Sequence, residues 1–397
     1  MTIAQDKTQQ AIELLNEFDI DMWLTFVRES SAGGDPTLAL IYGHDLTWQS
    51  ALIVTRSGER IAIVGRFETD TVHQTGAYDA VIGYDQAISV PLMEAIQRIE
   101  PRSIAINTSE NDVLADGLTH GMYQLLTRYL EGSPYAGRLV SAELLNAALR
   151  GRKSGSEVAR MERAIEITSE IYQSTFDALR PGLTEADVAA LMHADAESRS
   201  LDLAWEQAHC PAVNAGPDTP IGHAAPSDIL LQAGQLVHFD FGVRYKGYCS
   251  DIQRVVYLLR AGETVAPPEV QRGFDTIVLA IQACVNAMRP GIRGQAIDQI
   301  ARDVVTDAGY PDFQYATGHQ LGQQVHDGAG ILGPKWERYG DTPDRLLEPG
   351  HVYTVEPGLM VPGYGYIGLE EDVLVTPQGT RFLGPPQKEL IVIDRFI

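Results

Sequence analysis

Little in this chain of 397 residues could build a disulfide scaffold, a membrane span or a surface for polyanions. There are three cysteines, Cys210, Cys249 and Cys284, odd in number, widely spaced and outside any Cys-x-x-Cys pattern. They are expected to be reduced thiols in a reducing compartment. No stretch approaches the roughly 18 consecutive apolar residues that a membrane-spanning helix needs. Basic side chains are scarce, 30 Lys and Arg against 53 Asp and Glu for a net charge of −23, which argues against nucleic acid or an anionic membrane surface as partner. The N-terminal Met-Thr-Ile-Ala-Gln-Asp-Lys runs into polar residues without the apolar centre of a signal peptide, so a cytoplasmic protein is expected. No glycine-rich phosphate loop follows a strand-like run, which removes the usual nucleotide site.

What remains is an ordinary globular composition, 44% hydrophobic and 21% charged, in a chain long enough for two domains. Up to about residue 150, short β-type runs (Trp23 to Val27, Ala51 to Thr55, Arg60 to Val64, Ser103 to Asn107) alternate with helical segments (Thr8 to Phe18, Pro91 to Ile99), predicting an α/β domain. A basic, small-residue stretch, Arg150-Gly-Arg-Lys-Ser-Gly-Ser, marks the boundary, placed between 152 and 153. Beyond it Val158, Met161, Ile165, Tyr172, Phe176 and Leu179 recur at helical steps up to Arg180-Pro181-Gly182. That exit returns later: Ala178-Leu-Arg-Pro-Gly-Leu183 is repeated as Ala287-Met-Arg-Pro-Gly-Ile292, each between two helices and each followed by an acidic hairpin. A duplicated half-domain with a pseudo-twofold axis is predicted, with a site between the halves.

The acidic hairpins carry the chemistry. Around Asp240, the residues Val237, Phe239, Phe241 and Val243 alternate onto one apolar face, leaving the aspartate on the other. A turn centred between Tyr245 and Lys246 sets Asp240 opposite Asp251. A turn centred on Gly363 sets Glu356 opposite Glu370. Like charges facing across strands destabilise a sheet, and a bound cation removes the penalty. With His319 between them, four carboxylates and one imidazole can hold two metal ions if some carboxylates bridge, the donor set of a two-metal hydrolase.

The runs His-Phe-Asp240-Phe-Gly, Gly-Tyr-Cys-Ser-Asp251, Gly-His319-Gln-Leu-Gly-Gln-Gln-Val-His326-Asp, Val-Glu356-Pro-Gly and Leu-Glu370-Glu-Asp-Val resemble the motifs of the pita-bread metallopeptidases. That group includes Xaa-Pro dipeptidase (prolidase), aminopeptidase P and methionine aminopeptidase. The likeness spans about residues 150 to 397. The preceding α/β segment resembles the N-terminal domain of prolidases, aminopeptidase P and creatinase, which short methionine aminopeptidases lack. The resemblance implies an α+β pita-bread catalytic domain over 153–397, a creatinase/prolidase-like α/β domain over 1–152, and a homodimer.

By the same resemblance Asp240 binds one metal, His319 and Glu356 bind the other, and Asp251 and Glu370 bridge. Mn²⁺ suits such ligation, with Co²⁺, Zn²⁺ and Fe²⁺ as alternatives. A bridging water is then acidic enough to yield a hydroxide near neutral pH, and Glu356 moves its proton toward the leaving imino nitrogen. His223 and His326 match positions that contact substrate, whereas His209, His238 and His351 carry no such context. Many relatives have arginine where this chain has Gly368, and no role follows for Arg338 or Arg345. The expected reaction is cleavage of Xaa-Pro dipeptides, with Xaa-Pro aminopeptidase action on longer peptides as the alternative. A creatinase-like hydrolase and a non-catalytic binding module fit less well, because all five ligand-type residues are present.

Overall fold

The computed structural model describes residues 2–222 and 224–395. The chain folds as two compact units, Met1–Arg150 and Gly151–Ile397.

In the first unit a six-stranded sheet runs in the order Ala80–Tyr84, Arg60–Gly65, Ser50–Thr55, Met22–Val27, Ile104–Ile106, Leu139–Ser141. Alternation within its strands feeds two cores. Trp23, Leu52, Val54 and Val64 pack with Leu14, Leu15, Leu145 and Leu149 on one face. Met22, Leu24, Phe26, Ile53 and Ile63 pack with Leu92, Ile96, Leu126 and Leu130 on the other. Helices on both faces make it a three-layer α/β unit. Its outer strands, Ala80–Tyr84 and Leu139–Ser141, are half-exposed or exposed although mostly apolar in sequence.

The second unit is built twice. Helix Gly155–Ala178 starts on a Ser154 capping box with Glu157, and leads through Arg180-Pro181-Gly182 to helix Glu185–Ser198. Helix Pro268–Ala287 leads through Arg289-Pro290-Gly291 to helix Gly294–Asp307. The connections are pinned alike. Gly182 N–H donates to the Leu231 carbonyl and Gly291 N–H to that of Leu347, each at 2.9 Å. Leu231 N–H returns to Leu183 and Leu347 N–H to Ile292, each at 2.8 Å. Nine residues past Leu231 stands Asp240, and nine past Leu347 stands Glu356. The pseudo-twofold duplication is thus visible in hydrogen bonds, and it makes the two acids structural equivalents.

Strand Leu236–Phe241 lies between Ile252–Leu258 and Ala212–Ala215. Its apolar face meets the first helix, where Phe239 and Phe241 ring centroids each stand 6.1 Å from Tyr172 and Phe239 stands 5.5 Å from Phe176. Packing of those rings turns Asp240 to the opposite side.

The hairpin register differs from the one predicted. Tyr245 pairs with Tyr248 and Arg244 with Cys249, so the turn centres between Lys246 and Gly247. Both turn residues take positive φ, 47° and 85°, as a two-residue primed turn requires. Asp240 therefore faces Gln253, and Asp251 lies diagonally from it. A shift of two residues preserves the face, so both aspartates stay on the same side. The second hairpin has the predicted register, with Val355 opposite Glu371 and Gly358 opposite Gly368, so that Glu356 and Glu370 fall level in the gap between two short ladders.

At Gly291, φ is +87° and an added Cβ meets nothing within 4 Å. Gly291→Ala should therefore lose about 1–2 kcal/mol of unfolding free energy from backbone strain alone. Urea titration checks this, and an unchanged or raised midpoint would contradict it.

Candidate metal centre

Asp240, Asp251, His319, Glu356 and Glu370 come together in the second unit. One donor atom each from Asp251, His319 and Glu370 lies within 4.8 Å of the others. His319 Nε2 stands 3.4 Å from Glu356 Oε1, 3.7 Å from Asp251 Oδ2 and 4.0 Å from Glu370 Oε1. Asp240 and Asp251 are close enough for one to hydrogen-bond the other when a proton is present.

His319, Glu356 and Asp251 are held from behind. His319 presents Nδ1 to the Gln320 carbonyl at 3.4 Å, and a carbonyl only accepts, so this contact favours the tautomer whose Nε2 lone pair faces the carboxylates. Gln253 Nε2 donates to Glu356 Oε2 at 3.1 Å, and Gln253 Oε1 meets His238 Nε2 at 2.9 Å. Glu356 N–H donates to the Thr317 carbonyl at 2.7 Å. Thr317 is tied through its N–H and hydroxyl to Asp298, which Arg302 clamps at 2.7 Å. Asp251 N–H donates to Asp372 Oδ2 at 3.2 Å.

The electrostatics are adverse as they stand. Burial pushes Asp251 and Glu370 well above the usual carboxylate range, with the neighbouring acids adding to it. Burial raises Asp240 to about 7, and burial with the Asp240 charge raises Glu356 to about 8. Burial, with His326 beside it, lowers His319 to about 3. Asp240 Oδ1 and Glu370 Oε1 are buried with no hydrogen-bond partner among the described residues. Buried carboxylate oxygens without donors, facing an imidazole lone pair, fit divalent cations. Four ionised carboxylates carry the charge that two such cations neutralise.

The other predicted residues fall as follows. His326 is exposed, with its ring centroid 4.3 Å from that of His319. His223 lies outside the described residues. His351 is buried against Gln320 and Glu348. His209 is partly buried, its carbonyl accepting from Trp205. Arg338 lies over the Trp336 and Tyr339 rings, at 4.6 and 4.9 Å. Sequence reasoning passed over Gln253, Asp372 and the supporting part of His238. His238 was readable, because it lies two residues from Asp240 and hence on the same strand face. Gln253 becomes visible only with the correct register.

Raised carboxylate pKa values mean that the metal-free folded state binds more protons than the unfolded state. Its stability must then fall as pH rises, from the ordinary carboxylate values of 3.8 and 4.5 through about 7 and 8 for Asp240 and Glu356. Chelated protein should melt at progressively lower temperature from pH 5 to pH 8. Added divalent metal should raise the melting temperature more at pH 8 than at pH 5. Scanning calorimetry with and without chelator checks this, and a metal effect independent of pH would contradict it.

Comparison with known proteins gives the family and the fold. Residues 159–377 match Metallopeptidase family M24. An uncharacterized peptidase of Bacillus subtilis, YqhT, is 31% identical over 314 residues, covering 76% of this chain and 83% of that protein. Among solved structures, an Xaa-Pro dipeptidase from Bacillus anthracis is 22% identical with a TM-score of 0.74, covering 98% of this chain and 100% of that one. An X-Pro aminopeptidase from Thermotoga maritima is 22% identical with a TM-score of 0.76, covering 97% and 100%. The fold is thus the pita-bread fold behind an α/β domain, and the chain belongs to the divalent-metal-dependent metallopeptidase family M24.

Proposed function

We propose that this protein is a dinuclear metallopeptidase that hydrolyses the Xaa-Pro bond of dipeptides. The observation that carries the reading is the convergence of Asp251, Glu356 and Glu370 on one imidazole with Asp240 beside Asp251, and with Asp240 Oδ1 and Glu370 Oε1 lacking donors among the described residues. Asp240 would hold one cation, His319 and Glu356 the other, with Asp251 and Glu370 shared between them. Bound divalent cations, Mn²⁺ by donor preference, supply Lewis-acid polarisation of the scissile carbonyl and a water of lowered pKa. Glu356 accepts the proton of the attacking water and delivers it to the imino nitrogen of the leaving proline. Gln253 fixes Oε2 of that carboxylate at 3.1 Å, and the Thr354 hydroxyl approaches Oε1 at 3.4 Å. His326, exposed beside His319, contacts the peptide near the scissile bond. His223 has the corresponding role by resemblance alone. Three unpaired cysteines support a cytoplasmic setting, and resemblance supports a homodimer.

A second reading, aminopeptidase P action on longer peptides, is favoured by one observation. A Cβ at Gly368 would meet Gln253 Oε1 at 2.5 Å and His238 Nε2 at 2.7 Å, so the room for a cationic side chain that could capture a proline carboxylate is filled.

Proline release from Ala-Pro, Met-Pro, Leu-Pro and Leu-Pro-Pro, by chelated protein before and after Mn²⁺, Co²⁺ or Zn²⁺, separates the readings. Metal-dependent cleavage of dipeptides alone is expected. Comparable tripeptide cleavage would transfer the assignment to an aminopeptidase, and inactivity on all four with every metal would refute both. Asp251→Ala and Glu370→Ala should each lower metal affinity and hydrolysis together, by more than about a hundredfold. Full activity in either variant would exclude the shared-ligand arrangement.

A further inference from the structure

Two phenols stand beside the carboxylate cluster. Tyr315, four residues before His319, and Tyr366, four before Glu370, bring their hydroxyl oxygens to 2.5 Å. The meeting place is kept open by a glycine: a Cβ at Gly358 would lie 1.9 Å from the Tyr366 oxygen and 2.6 Å from that of Tyr315. Two hydroxyls carry two protons, and their mutual hydrogen bond uses one. Neither hydroxyl has another hydrogen-bond partner among the described residues. The second proton therefore has no acceptor among the described residues and is available to a ligand.

The less buried phenol is the one a ligand reaches more readily. Tyr366 is 8% exposed and packs edge-on against His238, whereas Tyr315 is half-buried. Either hydroxyl can donate within the pair, and the arrangement in which Tyr366 donates to the Tyr315 oxygen leaves the Tyr315 proton for a ligand. Burial and the charges of Glu356 and Glu370 raise both groups above the ordinary phenol range, so both remain donors at neutral pH. A chain of two hydroxyls also polarises the outer one.

We propose that Tyr315 donates a hydrogen bond to an oxygen of the bound peptide, with Tyr366 as its positioning residue. The inference rests on the Xaa-Pro peptidase reading. The acceptor is a carboxylate or carbonyl oxygen, and it has two sources, the scissile carbonyl as it becomes anionic or the C-terminal group of the substrate. A neutral donor stands in the region where Gly368 leaves no room for a cation, so the site recognises substrate oxygen without a full positive charge.

The test compares Tyr315→Phe and Tyr366→Phe with the parent, using Ala-Pro and its C-terminal amide. The readouts are kcat and KM after Mn²⁺ loading, calorimetric Ala-Pro binding to chelated protein, and Mn²⁺ affinity. Tyr315→Phe should lower kcat/KM for Ala-Pro by about tenfold to a hundredfold with Mn²⁺ affinity unchanged, and Tyr366→Phe should cost less. A loss confined to kcat and equal on the amide identifies the scissile carbonyl. A loss in KM and in binding that shrinks on the amide identifies the C-terminal carboxylate. If Tyr315→Phe stays within twofold of the parent in turnover and in binding, the inference is overturned while the peptidase reading stands. If the parent neither cleaves nor binds Ala-Pro, the peptidase reading falls and this inference falls with it.

Discussion

Four clustered carboxylates, Asp251 and Glu370 buried and Asp240 and Glu356 half-buried, are an arrangement that no folded chain keeps without compensation, and the second unit is organised around that constraint. Charges in a low-dielectric interior cost several kcal/mol each unless paired. Elsewhere in this unit two buried acids are paired with arginine: Asp298 with Arg302, and Glu371 with Arg254 at 3.0 Å. At the cluster the pairing is withheld on one side. Gln253 and the Thr354 hydroxyl hold the Glu356 carboxylate, while Asp240 Oδ1 and Glu370 Oε1 have no donor among the described residues. The protein thereby spends folding stability to keep the ligand oxygens in place before any cation arrives. Pre-orientation of this kind is what gives a metal site its geometry.

Duplication explains how one chain assembles the cluster. Each half contributes a helix pair joined through Arg-Pro-Gly, a hairpin, and an acid nine residues after the leucine that pins the joint. Identical local rules place Asp240 and Glu356 at equivalent points, and the hairpins carry Asp251 and Glu370 to meet them. The halves then diverge where function requires asymmetry. His319 has Asp251, Glu356 and Glu370 around it, Gln253 ties Glu356 to His238, and Arg302 supports Glu356 through Asp298 and Thr317 between the Phe313 and Trp336 rings. One half supplies carboxylates alone, and the other adds the imidazole and the residue assigned to proton transfer.

Much of this was legible because strands alternate and turns punctuate. Phe239 and Phe241 marked the packed face and so aimed Asp240 without any structure. Pro362-Gly363 fixed the second hairpin's register to the residue. The first register was misread by two because Lys246, at φ 47°, carries no compositional sign of left-handed backbone, whereas Gly247 beside it does. The face survived the error, and the direct partner of Asp240 did not: Gln253 replaced Asp251. The Tyr315 and Tyr366 pair was hidden for another reason. Fifty-one positions separate the two residues, and only tertiary packing at Gly358 brings them together. In the first unit the edge strands escaped notice because they are short, Ala80–Tyr84 being broken by Gly83 and Leu139–Ser141 only three residues long.

The central claim is that the carboxylate cluster exists to hold a pair of divalent cations. Native mass spectrometry of metal-free protein titrated with Mn²⁺ tests it most directly, by counting ions per chain. The account predicts saturation at two ions per chain. Saturation at one, or no ion retained, would contradict it.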